Sequence, residues 1–296
     1  MAAWESDQLV NSRFRVKELV RQSSTCHVYR VGDMFRGTLH LVLRPSPRIV
    51  VREGWRERFE QFCQDAISVP PHDNVLQCQR LATEGEVPFL LMEDVEGRCW
   101  DSVIFDGSLG DLPSMLDVAL QVASGVAWLH AHGVIHYNLK PANVWISNAG
   151  VAKVWKYGEA DAKTRVYASP EQLAHQQPLT QATDVWSWAV SVLHMFVGRA
   201  VWDRGPAATG VLRRYMQNGP AVKGLPLMPG SLAGLLARSL RRDPEQRTIT
   251  MDELAEKLGG LRGSAFGEAE QGSPAARSEG QENSAEADEE PAPAGD

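Results

Sequence analysis

The residues able to do chemistry gather in two short stretches, HGVIHYNLKPANVWI (132–146) and KVWKYG (153–158). Between them they offer two amides, Asn138 and Asn143, and two ammonium groups, Lys140 and Lys156. An ammonium is a compact point charge that can hold phosphate oxygens. It offers no oxygen donor to a hard divalent cation. An amide cannot accept and hold a proton near neutral pH, so Asn138 is not a general base. The same stretches carry Trp145 and Trp155, indoles that each bury roughly 200 Å² and present a stacking face. Anion holding and ring stacking are therefore within reach, whereas carboxylate-based acid–base or metal chemistry is not. Four cysteines (Cys26, Cys63, Cys78, Cys99) are scattered without a CxxC pair or a His at metal spacing. Reduced thiols are expected, with neither zinc site nor disulfide.

The elements that must position these groups follow from pattern. FRVKELV, CHVYRV and HLVLRP within residues 14–51 read as strands, punctuated by Gly32 and Gly37. The polar helix WRERFEQFCQDAIS is stopped by Pro70 and Pro71. PFLLMEDVEG reads as a buried strand turning at Gly97. After Pro113, Leu116, Leu120, Ala123 and Ala127 recur at helical spacing, up to His130–Gly133. NVWIS and VAKVWKY flank a turn at Asn148–Gly150, and helices dominate from Pro170 to Leu261. The most apolar run, VWSWAVSVLHMFV (185–197), is too short and polar to span a bilayer and reads as a core helix.

Composition bounds the partners. With 43% hydrophobic and 23% charged residues the chain is globular in type. The net charge of −7 resides in the tail, where nine acids from Glu268 to Asp296 face only Arg262 and Arg277. The remainder is formally neutral, so neither nucleic acid nor membrane is expected as a partner. MAAWESDQLV lacks a basic start and apolar stretch, so no signal peptide is expected and the location is read as cytoplasmic. Three segments result: an N-terminal arm (1–13), a domain (14–261), and an acidic tail (262–296) too poor in apolar surface to order.

HGVIHYNLKPANVWI resembles the catalytic loop of eukaryotic-type (Hanks-type) serine/threonine protein kinases, H-R-D-L-K-P-x-N. KVWKYG stands at the D-F-G place, YASPE (167–171) resembles A-P-E, TDVWSWAV (183–190) the D-V-W-S-x-G helix start, and RRDPEQRT (241–248) the D-P-x-x-R motif. Five motifs in family order cover residues 14 to about 260. The resemblance implies an α+β, bilobal fold, with a strand-rich small lobe with one main helix (about 14–93) and a helical large lobe (about 97–261). It also implies structural roles: Glu171 and Arg247 as an ion pair, and Asp184 as the anchor of the catalytic-loop backbone.

Against the family's chemistry, four positions depart. Asn138 replaces the base, and Tyr137 the neighbouring arginine. Lys156 replaces the metal-binding Asp, a sign change worth several kcal/mol at about 4 Å even under screening; it either reaches solvent or pairs with a carboxylate such as Glu60. No lysine occurs between Lys17 and Lys140, so the third strand offers Leu41, Val42 or Leu43, with Arg44 off register. The helix carboxylate falls near Cys63 or Gln64. The glycine-rich loop aligns with Arg21, Ser23 and Cys26 before Val28. Lys140 and Asn143 remain as phosphate-side candidates. Val28, the gatekeeper Met92, Trp145 and Trp155 face the adenine place and are expected to fill it. Thr164 and Tyr167 match positions beside the substrate groove, in a short segment from Gly158 to Ser169.

These departures imply a pseudokinase: no enzyme, no metal, and no cofactor, with ATP at most weakly bound and no Mg²⁺. Its role would be that of a protein-binding scaffold or allosteric regulator, with the partner unidentified. The alternative is a metal-independent nucleotide-binding protein, or an atypical ATP-dependent transferase using Lys140, Asn143 and Lys156. A third reading keeps the pocket for a non-nucleotide ligand stacked on the tryptophans.

Overall fold

The computed structural model describes residues 3–155, 165–174, 178–220 and 222–271, with side chains through 263. Alternating side chains build the small lobe. Strands β1 (Leu9–Val10), β2 (Phe14–Gln22), β3 (Cys26–Asp33) and β4 (Leu39–Pro45) precede helix α1 (Trp55–Ser68), and β5 (Cys78–Glu84) and β6 (Val87–Glu93) follow it. They form an antiparallel sheet in the order β1-β2-β3-β4-β6-β5. The period of two divides its residues between two cores. Tyr29, Val31, Val42, Phe89 and Leu91 pack outward against Trp4, while Val28, Leu41, Leu43, Leu90 and Met92 join the core that continues into the large lobe.

The large lobe begins with β7 (Gly97–Cys99), α2 (Trp100–Asp106) and α3 (Leu112–Ala131). Asp111 caps α3 by accepting from Ser114 N at 2.7 Å, and Pro113 sits in the first turn, where no donor is missed. Strands β8 (Val144–Ser147) and β9 (Ala152–Val154) form a hairpin that pairs with β7. Helices α4 (Pro170–Ala174), α5 (Gln181–Val197), α6 (Ala208–Asn218), α7 (Gly230–Ser239) and α8 (Met251–Gln271) complete the lobe. The apolar run 185–197 lies inside α5, almost wholly buried. By length and composition α3 could cross a bilayer; it packs against β9, α5 and α8.

The architecture is the α+β, bilobal one that the resemblance implies. Both expected outer boundaries move. The arm before residue 14 is part of the small lobe: β1 pairs with β2, and Trp4 is buried against Tyr29 and Phe89, with ring centroids 5.0 and 5.5 Å away. At the other end α8 runs to Gln271, past the expected start of the tail, and Arg262 Nε reaches Asp117 at 3.1 Å. Residues 272–296 lie outside the described residues.

Candidate functional site

The catalytic-loop segment leaves α3 through Gly133, at φ 76°, and is held from below by Asp184 in the first turn of α5. That carboxylate accepts from the backbone N–H groups of His136 at 2.7 Å and Tyr137 at 2.9 Å, and lies 2.8 Å from His130 Nε2. Tyr137 adopts φ 59°, a left-handed conformation uncommon for a residue with a Cβ. Gln172 helps hold it by donating to its carbonyl at 2.7 Å. His136 is buried with Nε2 3.1 Å from Trp155 O. Burial pushes its imidazole below the ordinary range, outweighing the nearby Asp184, so it is neutral at pH 7.

Asn138 follows, also buried, and its carbonyl accepts from Asn143 Nδ2 at 2.7 Å. Asn143 O in turn accepts from Trp155 N at 3.1 Å. These bonds bring Asn138, Asn143 and Trp155 together, so the amides are parts of a fixed loop. Lys140 is 3% exposed and lines a cavity of about 900 Å³ whose walls include Arg21, His27, Arg48, Asp101 and Tyr167. Burial, aided by the charge of Arg44, pushes His27 below its usual value.

Val28, Met92, Trp145 and Trp155 are 2%, 1%, 5% and 4% exposed and belong to one apolar core with Leu41 and Leu43. In the β8–β9 hairpin, Trp145 stands opposite Lys153. Arg21, on the strand leading into the glycine-loop place, crosses to the large lobe. Its Nη1 donates to Ala142 O at 2.5 Å and lies 2.6 Å from Cys99 Sγ. Ser23 closes the turn itself, accepting from Cys26 N at 3.1 Å. No local signal marked Arg21 as a bridge between lobes: its partners are distant in sequence.

Other candidates point elsewhere. Arg44 lies over the Trp4 ring at 5.0 Å and 3.5 Å from Glu84, on the outer face of the sheet. Glu60 sits beside Arg56, 3.6 Å away, one turn back along α1. Cys63 is buried and its thiol is pushed far up by desolvation. All four cysteines are buried, and none is in a disulfide. Lys156 and Thr164 lie outside the described residues. Tyr167 is described: its hydroxyl meets His194 Nδ1 at 2.9 Å, and burial raises its pKa.

Beneath the site, Arg247 grips Glu171 through two bonds, Nη1 to Oε1 at 2.7 Å and Nη2 to Oε2 at 2.5 Å. Burial alone would raise the Glu171 carboxyl, but the guanidinium holds it below its usual value. Arg247 also donates to the carbonyls of Arg241 and Ala182 and lies over Trp186, so the pair ties α4, α5 and the segment before α8 together.

The kinase fold implies ATP and Mg²⁺, and the residues can be tested against each. The cations around the cavity suit phosphate oxygens. For a metal, no group of three His, Cys, Asp or Glu side chains is suitably placed among the described residues. Asn143 is a neutral amide and the position of Lys156 is outside the described residues. A Mg²⁺ donor set is thus not complete among the described residues.

Residues 60–258 match the family described as Protein kinase domain. Among curated relatives, the serine/threonine-protein kinase PknA of Corynebacterium glutamicum is 29% identical over 284 residues, covering 86% of this chain and 57% of its own. The probable serine/threonine-protein kinase PknB of Lactococcus lactis is 22% identical over 265 residues, covering 82% and 41%. The chain spans 40%, 41% and 32% of the length of three such relatives, well short of their whole. The solved kinase domain of Mycobacterium tuberculosis PknI superposes with a TM-score of 0.65 at 20% identity, covering 87% of this chain and 99% of that one.

Two sequence expectations are corrected by these relatives. Asn138, Lys156 and the absent third-strand lysine lead to the expectation of no enzyme, ATP at most weakly bound and no Mg²⁺. The relatives are named as serine/threonine-protein kinases, and kinases of this family ordinarily use both cofactors. A degenerate position is a statement about one contact. It does not exclude a chemistry that rests mainly on positioning and electrostatics, and Lys140 lines a cavity of about 900 Å³. With the bilobal fold, the Asp184-anchored loop and the match over residues 60–258 taken together, this chain belongs to the protein kinase family, in its eukaryotic-type serine/threonine branch.

Proposed function

We propose that this chain is a regulatory serine/threonine-kinase-family protein of the cytoplasm that binds protein partners, as scaffold or allosteric regulator, and holds nucleotide phosphates between its lobes. The observation that carries the reading is the buried Lys140 beside a cavity of about 900 Å³ with Arg21 and Arg48 on its walls. Three cations against Asp101 favour an anion, and partial exclusion of water strengthens each interaction. The cavity is of a size that accepts a small-molecule cofactor. Phosphorylation, the activity named for the relatives, is carried over to this chain as a transfer in which Lys140 holds phosphate. The bond from the terminal phosphorus to the β-phosphate oxygen breaks as the bond to a substrate hydroxyl forms, and ADP leaves. The hydroxyl proton passes to solvent, since Asn138 is a buried amide outside this cavity and no base.

Titration of the full chain with ATP, with and without Mg²⁺, tests this through the thermal midpoint and label transfer from γ-labelled ATP. A saturable stabilisation of about 2.7 kcal/mol at a hundredfold excess over Kd is expected. Lys140→Ala should weaken it by about tenfold, the loss of one charge-assisted contact. Neither stabilisation nor label incorporation under any metal condition is the result that overturns the nucleotide reading.

A further inference from the structure

We infer that the surface around the end of α5, the outer face of α6 and the chain leading to α7 docks an acidic segment of a protein partner carrying large apolar anchors. Helix α6 buries Ala208, Val211, Leu212 and Tyr215, spaced as one inward face. Its other side should be polar, yet Met216 is 59% exposed there, three residues from Arg213 and so on the same side. Leu227, 67% exposed, lies beside Gly219 at the helix end; its Cδ2 is 3.7 Å from where a Cβ at Gly219 would stand. Val222 flanks Gly198, the C-cap of α5, and exposed Val201 follows three residues later. Exposed large apolar side chains thus stand at the ends of both helices: Val222 beside the α5 cap with Val201 three residues past it, and Leu227 beside the α6 cap with Met216 in its last turn.

Charge selects the occupant. From Arg199 to Leu227 the chain carries Arg199, Arg204, Arg213, Arg214 and Lys223 against the single acid Asp203. All five cations are exposed, and none is ion-paired within the described residues. A rim of uncompensated cations around apolar side chains fits a peptide whose carboxylates flank large hydrophobes, the arrangement by which helical segments are read on helix surfaces. A basic segment would be repelled, and a purely polar acidic one would leave Met216 and Leu227 uncovered. This inference does not depend on the nucleotide reading: Ala200, between Arg199 and Val201, lines the Lys140 cavity, but Met216, Val222, Leu227 and the five cations do not.

Selection of a phage-displayed library of random 16-residue peptides on the full chain tests it, with affinities of the enriched peptides measured by fluorescence anisotropy. Enriched peptides are expected to be net acidic with two or more large hydrophobes. The double variant Arg213→Glu, Arg214→Glu should weaken them by about tenfold or more, with added salt acting in the same direction. Leu227→Ser, with the fold checked by circular dichroism, should weaken them about fivefold. No enrichment, enrichment of neutral or basic peptides, or affinities unchanged by these substitutions would overturn it. Phosphatidylserine vesicles and a DNA duplex form parallel arms. Tighter binding to either, lost in the same variants, would replace the protein partner by a membrane or nucleic acid. A chain ending at Gln271 that binds the selected peptides about tenfold more tightly would assign the surface to the chain's own acidic tail instead.

Discussion

Asp184 is wholly buried and is the acceptor for two backbone N–H groups of the catalytic loop. Its removal in Asp184→Ala leaves both donors without an acceptor in the protein interior, at a cost of about 3–5 kcal/mol. Urea denaturation should show that loss, and a change under about 1 kcal/mol would refute the anchoring role. His194 gives a pH-dependent counterpart. Burial, partly opposed by Asp101, lowers its imidazole from 6.5 to about 4. A histidine depressed in the folded state contributes stability above its free value, which is lost as pH falls from 6.5 towards 4, because the unfolded chain binds the proton first. The effect is roughly 3 kcal/mol across the full window. Urea midpoints measured from pH 8 to 4 should fall more steeply for the wild type than for His194→Gln. Buried His136, depressed for the same reason, acts alike in both proteins and cancels in the comparison.

Between elements, the decisive contact is a close approach of backbone to helix. Gly125 on α3 faces the segment before β5: a Cβ there would stand 2.3 Å from Asn74 O and 3.1 Å from Val154 Cγ2. The same segment is fixed by Val154 N to Asn74 O and Leu76 N to Val154 O, both at 2.9 Å, and by Asn74 Nδ2 donating to Gln121 and Ala152 O at 3.0 Å. Helix propensity favours alanine over glycine by about 1 kcal/mol, but a clash with a pinned carbonyl outweighs it. Gly125→Ala should therefore lower stability by about 1–3 kcal/mol, and a raised thermal midpoint would show the segment to be softer than this geometry requires. Element legibility followed length. The helix WRERFEQFCQDAIS and α1 coincide residue for residue, since fourteen residues carry a full periodic pattern. Strands of two or three residues, β1 and β7, and the seven-residue α2 leave too little pattern to read, because each completes its period at most about twice.

Across the molecule, one apolar core runs from the inner face of the small-lobe sheet through Trp145 and Trp155 into α3 and α5. Lobes joined this way should unfold together. Far-ultraviolet circular dichroism and tryptophan fluorescence are expected to report one coincident urea transition, with Trp145→Ala lowering its midpoint by about 3–5 kcal/mol equivalent. Two separated transitions would mean that the cleft residues only touch and do not bind the lobes. Arg21 adds a polar tie across the same gap through Ala142 O. Charge is also a whole-molecule property: formal neutrality before the tail conceals the cationic surface at α6, because net charge sums what the fold segregates.

By itself the sequence determined the family, the lobe order, the fourteen-residue α1 and the site loop. Motifs such as HYNLKPAN and DVWSW are contiguous, and alternation or helical spacing acts within a few residues. The identities at 138, 140 and 143 were legible for the same reason. Tertiary structure decided which way those groups serve. Arg44 turned to Trp4 rather than to the cleft, Glu60 to Arg56, and Arg21 to a carbonyl in the other lobe. The cavity beside Lys140 brings together side chains from the small-lobe turn, the β4–α1 connection and the catalytic loop. Such meetings depend on contacts between segments tens of residues apart, set by packing of the whole core, and no local pattern encodes them.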